Sequence, residues 1–411
     1  MRRIVLRLAA VSLAVLLACG GVAFAASSQP KNNARSTVQT NDTVWTTLRV
    51  GDRVYLGGAF TSVNGKPRSG LAAINANTGR LTAWAPKANS AVLALAASPS
   101  GESIYAGGEF TSIDGIARDH VVAISASTGQ VRKEWSAHAD LPVYSLATSG
   151  RRVYLGGEFR KVNGRNRLHL AAVHPKEGEL YANWSPTTNG IVRTLALSPN
   201  KRRLYAGGSY SVISGKSKPN LAALHPATGA VKDWTPNPRV DNDYQVFDLA
   251  VTNKAVYVAG GGRNPDGTAE AFGAGKGASV WRYSSNGDFQ AVTLLKGKLY
   301  FGGHFTKLYT KTEQISRNRL LAVAAPTGRL DAGWKPSAKN GGVWSMTADP
   351  ARHRVYAGGA FTQINARPQQ GFASLSVGRN AASTGKREEV AAFLALDATK
   401  TAIGSHQGPD S

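Results

Sequence analysis

One heptapeptide pattern, Val54-Tyr55-Leu56-Gly57-Gly58-Ala59-Phe60, limits what this chain can fold into. It recurs as Ile104-Tyr105-Ala106-Gly107-Gly108-Glu109-Phe110, then as VYLGGEF from Val153, LYAGGSY from Leu204, LYFGGHF from Leu299 and VYAGGAF from Val355. A degenerate seventh copy is Val256-Tyr257-Val258-Ala259-Gly260. The shared tyrosines are Tyr55, Tyr105, Tyr154, Tyr205, Tyr257, Tyr300 and Tyr356, at intervals of 50, 49, 51, 52, 43 and 56. A period near fifty marks supersecondary units that shelter their apolar faces only against neighbouring units.

Within the first unit, Val44 to Val50 reads as a strand and Gly51-Asp52 as a turn. Arg53 to Phe60 is a second strand, Leu71 to Ile74 a third, and Leu81 to Trp84 a fourth that Pro86 stops. Asn64-Gly65 and Thr78-Gly79 supply further turns. The count from the shared Tyr to the third strand is 16 in the first four copies and the last. The expectation is therefore an all-β chain: a seven-bladed β-propeller of four-stranded antiparallel blades over residues 44–377. The glycine pair is expected where strands crowd near the axis. Trp84, Trp135, Trp184, Trp234 and Trp334 are expected to fill the gaps between outer blade edges, not to stack ligands. The last blade lacks an outer strand of its own, which either Thr37–Gln39 or Val390–Leu396 supplies in this reading.

The N-terminus carries an address. Arg2, Arg3 and Arg7 precede an apolar run from Leu8 to Ala18, and Ala23-Phe24-Ala25 offers a cleavage site. This reads as a signal peptide over 1–25, too short to span a membrane, and implies a secreted bacterial protein. Leu16-Leu17-Ala18-Cys19 also resembles a lipobox, so lipidation at Cys19 on the outer side of the cell membrane is the alternative. Residues 26–43 read as a linker and 378–411 as a polar tail. Cys19 is the only cysteine, so the mature chain has no disulfide, thiol nucleophile or cysteine metal site.

The run from Gly57 to Arg68 (GGAFTSVNGKPR), followed by Leu71-Ala72-Ala73-Ile74 and Thr78-Gly79, resembles the delta-60 repeat. That family forms β-propellers in secreted and envelope bacterial proteins, mostly without assigned activity. The glycine pair with a distant Trp is also similar to kelch repeats, and the Thr-Gly-to-Trp stretch to quinoprotein docking motifs. Those two resemblances would imply enzymes, but their chemistry rests on cysteines the mature chain lacks.

Two surfaces stand out. Irregularities cluster on the face holding the loops after second and fourth strands, around the fifth and sixth copies. The fifth is read with an insertion from Asn264 to Ala278, a third strand at Ser279 and no outer strand. This suggests a ligand site of His304, Arg317 and Arg319 with Asp241, Asp243 and Asp266. Arg317 matches Arg68, Arg118, Arg167 and Lys218 of other copies, which also suits a structural role. Asp241 and Asp243 fall short of the six to eight oxygens of a Ca²⁺ site, so no metal and no cofactor is expected. On the opposite face, the turns between first and second strands carry a summed charge of +8, within a net charge of +24. Arg151, Arg152, Lys201, Arg202, Arg203, Lys296 and Lys298 are the candidates to hold an anionic polymer there. No groove-reading helix or aromatic interleaving favours nucleic acid. The eight histidines are scattered and form no acid–base set, and His174 and His225, each before a proline, suit turns. The expected function is a non-enzymatic envelope scaffold that binds an anionic polymer or a partner protein. A quinoprotein-like oxidoreductase or lyase is the alternative.

Overall fold

The structure is a computed structural model that describes residues 38–238, 243–262, 267–310 and 312–378. Cys19, the leader, the tail, Asp241 and Asp266 lie outside the described residues. Within them the fold is all-β, built from many small antiparallel sheets in a propeller-like repeat. No helix among them is long and apolar enough to cross a membrane.

Each module is a sheet in which the second strand lies between the first and third. In the first module these are Val44–Val50, Arg53–Gly58 and Leu71–Asn75. The glycine pairs explain this tight plan. A Cβ on Gly57 would stand 2.9 Å from Val92 of the next module, and one on Gly156 would stand 2.7 Å from Val192. In the last copy, a Cβ on Gly358 would stand 2.7 Å from Val44 of the first. The expectation of crowding holds, because no side chain fits between neighbouring sheets there.

Seven buried clusters each combine residues of two consecutive modules. One of them joins Tyr356 and Phe372 of the last module to Val44, Val54 and Leu56 of the first. The core therefore lies between modules, as expected for units that cannot bury themselves. The tryptophans act here. The Trp84 ring meets Tyr55 edge-on with centroids 4.9 Å apart, and its Nε1 donates to Ser125 O of the next module at 2.9 Å. Trp135, Trp234 and Trp334 repeat the arrangement.

The outer edge departs from the four-stranded expectation. In five modules the fourth strand shrinks to one isolated bridge, such as Ile74 with Leu81. The fifth module corrects the sequence reading more sharply. Its third strand is Gly267–Gly273, and Ser279–Ser285 is a complete fourth strand. The stretch read as a loop is small because it is crowded: a Cβ on Gly267 would collide with Gly287 O. The fourth strand then pairs through Ser284 and Ser285 with a lengthened hairpin of the sixth module, Lys307–Tyr309 with Gln314–Ser316. The two irregular copies thus compensate each other in one six-stranded sheet.

Val38 to Asn41 settle beside the last module. Thr40 N donates to Gln370 O at 3.2 Å, as Ala88 N donates to Ser69 O in the first module. Thr40 also bridges Val63 as Ala88 bridges Ile113. The N-terminal segment therefore takes the place that the segment after a fourth strand takes elsewhere. Of the two sources read for the outer strand, Val390–Leu396 lies outside the described residues, as does Thr37 of Thr37–Gln39, whereas Val38 and Gln39 are described and form no strand.

A charged seam joins the ends. Arg352 donates to Asp52 at 2.5 Å and Asp349 at 3.0 Å, and Arg49 lies 3.6 Å from Asp349. Burial would raise the Asp349 carboxyl, but hydrogen bonds from Tyr356 and Arg352 outweigh it and hold the group below 3.8. A depressed carboxyl stabilises the fold above its unfolded value, and that stability is lost as pH falls through the lower folded value. We expect stability to drop as pH falls below 3.8, with Asp349→Asn less stable at neutral pH and flatter in acid. Chemical denaturation of both proteins across that range checks it; parallel profiles would refute the seam's part.

Candidate functional sites

The basic candidates do not form one rim. Arg151, Arg152, Lys201 and Arg202 line a groove of about 570 Å³ between the third and fourth modules, together with Lys232 and His225. Two turns build it, at Ser149–Arg152 and around Lys201. Arg152 lies 4.4 Å from the Tyr181 ring centroid and donates to Ala227 O at 3.2 Å. The Tyr181 hydroxyl donates to Arg151 O at 2.8 Å, so this side of the groove is held rigid. Arg151, Lys201 and Arg202 remain exposed. Among the described residues no carboxylate lines the groove.

The groove between the second and third modules has a similar size, about 560 Å³, but a different lining. Glu102, Glu134 and Glu177 there oppose Arg132 and Lys176. The shape belongs to the repeat, whereas the unopposed charge belongs to one site.

The other three basic candidates do not line this groove. Arg203 donates to Ala274 O of the next module, as Arg53 does to Ala126 O. Lys298 pairs with Asp331 at 2.6 Å. Lys296 Nζ lies 3.1 Å from the His353 ring nitrogens, against the seventh module.

On the opposite face, His304 lies 3.7 Å from Asp288, and its ring centroid is 5.9 Å from that of Trp344. Asp288 accepts from Gly262 N at 3.1 Å, and Gly262 abuts the Asp243 carbonyl. This line links His304 to the connection bearing Asp243. Arg317 donates to Ser316 O at 2.8 Å, as Arg68 donates to Pro67 O. Arg319 sits at φ 65°, where His120, His169 and Asn220 sit in other modules, and donates to Ala338 O at 3.0 Å. Both arginines therefore hold repeat positions and brace backbone. His174 and His225 are turn residues; the His174 carbonyl accepts from Trp135 Nε1 at 3.2 Å. No group of three or more His, Cys, Asp or Glu among the described residues is placed to hold a metal ion.

One feature escaped sequence reasoning. Every first strand carries a bulge near its start, at its second residue or, in the fifth module, its third: Trp45, Leu93, Tyr144, Arg193, Phe247, Gln290 or Trp344. These seven, with Glu109, line one cavity of about 300 Å³. A bulge re-aims its side chain and explains the shared direction. Trp45 and Trp344 fall outside the fourth-strand series of tryptophans, and that was the available signal.

A polar cavity of about 220 Å³ shares these seven residues and also includes Asp248. Asp248 accepts from Val292 N and from Leu249 N, each at 2.8 Å. Burial dominates and pushes its carboxyl up to about 7. A raised carboxyl favours the fold while protonated, and the advantage is lost as pH rises toward 7. Asp248→Asn should therefore raise the melting temperature at pH above 7 and change it little in mild acid. A uniform shift at both would contradict this.

No family model and no curated protein matches the chain. Among solved structures, one described as "Structure of U3-55K" superposes with a TM-score of 0.57 at 11% identity, covering 83% of this chain and 98% of that one. The likeness supports an all-β, multi-sheet architecture resembling a β-propeller or WD-repeat fold, and concerns the fold alone.

Proposed function

We propose that this protein is an exported seven-bladed β-propeller, of the delta-60 type its repeat resembles, that acts as a binding module for the cell envelope. Closure of the ring is supported by the Gly358–Val44 approach and by the charged seam at Arg352. The groove between the third and fourth modules is its site for a phosphate-bearing polymer. The observation that carries this reading is the unopposed charge of Arg151, Arg152, Lys201, Arg202 and Lys232 around one concave surface. A polyanion laid along the groove meets guanidinium and ammonium groups that release its counterions on contact. The equivalent groove one module earlier, with three glutamates, would repel the same chain.

The test is binding of the purified protein to a poly(glycerol phosphate) polymer, with anionic-lipid vesicles in parallel. Affinity should fall steeply between about 50 and 200 mM salt. Lys201→Glu with Arg202→Glu should weaken it by about 10–100-fold, on the scale of about 1 kcal/mol per cation near an anionic surface. Binding unchanged by salt or by the double variant would overturn the groove. Stronger binding to vesicles than to the polymer would overturn the polymer assignment.

A further inference from the structure

The cavity lined by the bulge residues matches no part of the polyanion reading. It lies on the face where the first strands begin, away from the turns that build the basic groove. Three observations bear on what fits it.

The lining is aromatic and open. Trp45 is 36% exposed, among the few large apolar side chains left so exposed in the described residues. The Trp45 and Trp344 rings are tilted by 32° with centroids 5.7 Å apart and form one wall. Tyr144 and Phe247 stand elsewhere around the cavity. Trp344 itself lies between Trp45 of the first module and His304 of the sixth.

The polar groups are preset. Arg193 Nε donates to Gln245 Oε1 at 2.5 Å, and its guanidinium lies 5.4 Å from the Tyr144 centroid and 6.0 Å from that of Phe247. Its two terminal nitrogens make no hydrogen bond among the described residues, so a held donor pair remains available. The Tyr144 hydroxyl donates to Glu158 at 3.0 Å, which orients that carboxylate, and Glu109 and Gln290 complete the lining.

The charges are mixed at short range. An anionic ligand would meet Glu109, while a cationic one would meet Arg193. Vicinal hydroxyls suit both, since they donate to carboxylates and amide oxygens and accept from a guanidinium. Apolar ring faces beside such planar polar groups fit one ligand class best: a neutral pyranose, with its C–H face on tryptophan and its hydroxyls on Arg193, Gln290 and Glu109.

We propose that this cavity is a second binding site, for a neutral sugar unit at the end of a glycan. His304, at the rim beside Trp344, lies within reach of a second unit.

Titration of the full protein with neutral hexose oligosaccharides, read by tryptophan emission and by saturation-transfer NMR of the sugar, tests this. Saturable binding is expected, weakened tenfold or more by Trp45→Ala and by Arg193→Met. Should Trp45→Ala fold poorly, Gln290→Ala in the same cavity should also lose affinity. The groove variant carrying Lys201→Glu and Arg202→Glu should bind sugar as the unaltered protein does, which separates this site from the polyanion site. Absence of saturable sugar binding, tighter binding of a hexuronate or a quaternary ammonium than of the neutral sugar, or full affinity in Trp45→Ala would each overturn it.

Discussion

Replacing Gly208 by alanine should destabilise the protein by about 3 kcal/mol, at the upper end for overpacking a well-filled interior. The added Cβ would stand less than 3.0 Å from the Ile191 carbonyl oxygen, closer than real Cβ atoms approach. That oxygen is backbone, and it also accepts from Ser209 N at 3.0 Å. The strand cannot retreat, because Gly208 N is bonded to Asn220 O at 2.9 Å on the other side. Gly150→Ala provides the control, since its Cβ would meet nothing within 4 Å. Urea denaturation of both variants checks the contrast. If Gly208→Ala stays within about 0.5 kcal/mol of the parent, close strand approach is not what the glycine pair serves.

The second large effect is expected at Glu270. Its side chain is fully buried between the fourth and fifth modules. It accepts from Arg282 Nε at 2.9 Å and Nη2 at 2.7 Å, and from Thr268 at 2.9 Å. Arg282 in turn donates to Asn237 O at 2.9 Å and so anchors the long connection into the fifth module. Arg282→Ala should cost about 3–5 kcal/mol, because it strands the fully buried Glu270 carboxylate without its ion-pair partner. Glu270→Met combined with Arg282→Met should recover much of that loss, since an apolar pair needs no partner. Thermal unfolding of the three proteins decides it. A double variant no better than the single would show that the pair has no mutual dependence.

These two sites differ in how far the chain announced them. The glycine pairs recur with the tyrosines, so their steric role could be argued from spacing alone. Glu270 occurs once, in a stretch whose glycines and alanines looked like a loop. That stretch forms a strand because Gly267 and its neighbours must pass close to the backbone at Gly287, a constraint set by a distant segment. One local clue was present: Gly277 precedes Trp281 at nearly the spacing of Gly79 before Trp84, and Trp281 Nε1 donates across to Ala325 O as the other tryptophans do to their neighbours.

The candidate surfaces divide along the same line. Basic turns were countable, but their charge alone could not separate the exposed Lys201 from Lys298, which Asp331 neutralises across 33 residues. The bulge residues were harder still. These seven share no chemistry, and only the register slip in each first strand turns them toward one cavity.

By itself the sequence determined the repeating unit, its all-β character, the steric need for paired glycines and the packing of tryptophans between units. These follow from local geometry and period, which every copy restates. Tertiary structure alone decided which charges stay unopposed, where the irregular fifth and sixth modules mend each other, and which bulged side chains line one cavity. Those outcomes depend on contacts between residues tens to hundreds of positions apart, and no local pattern encodes such distances.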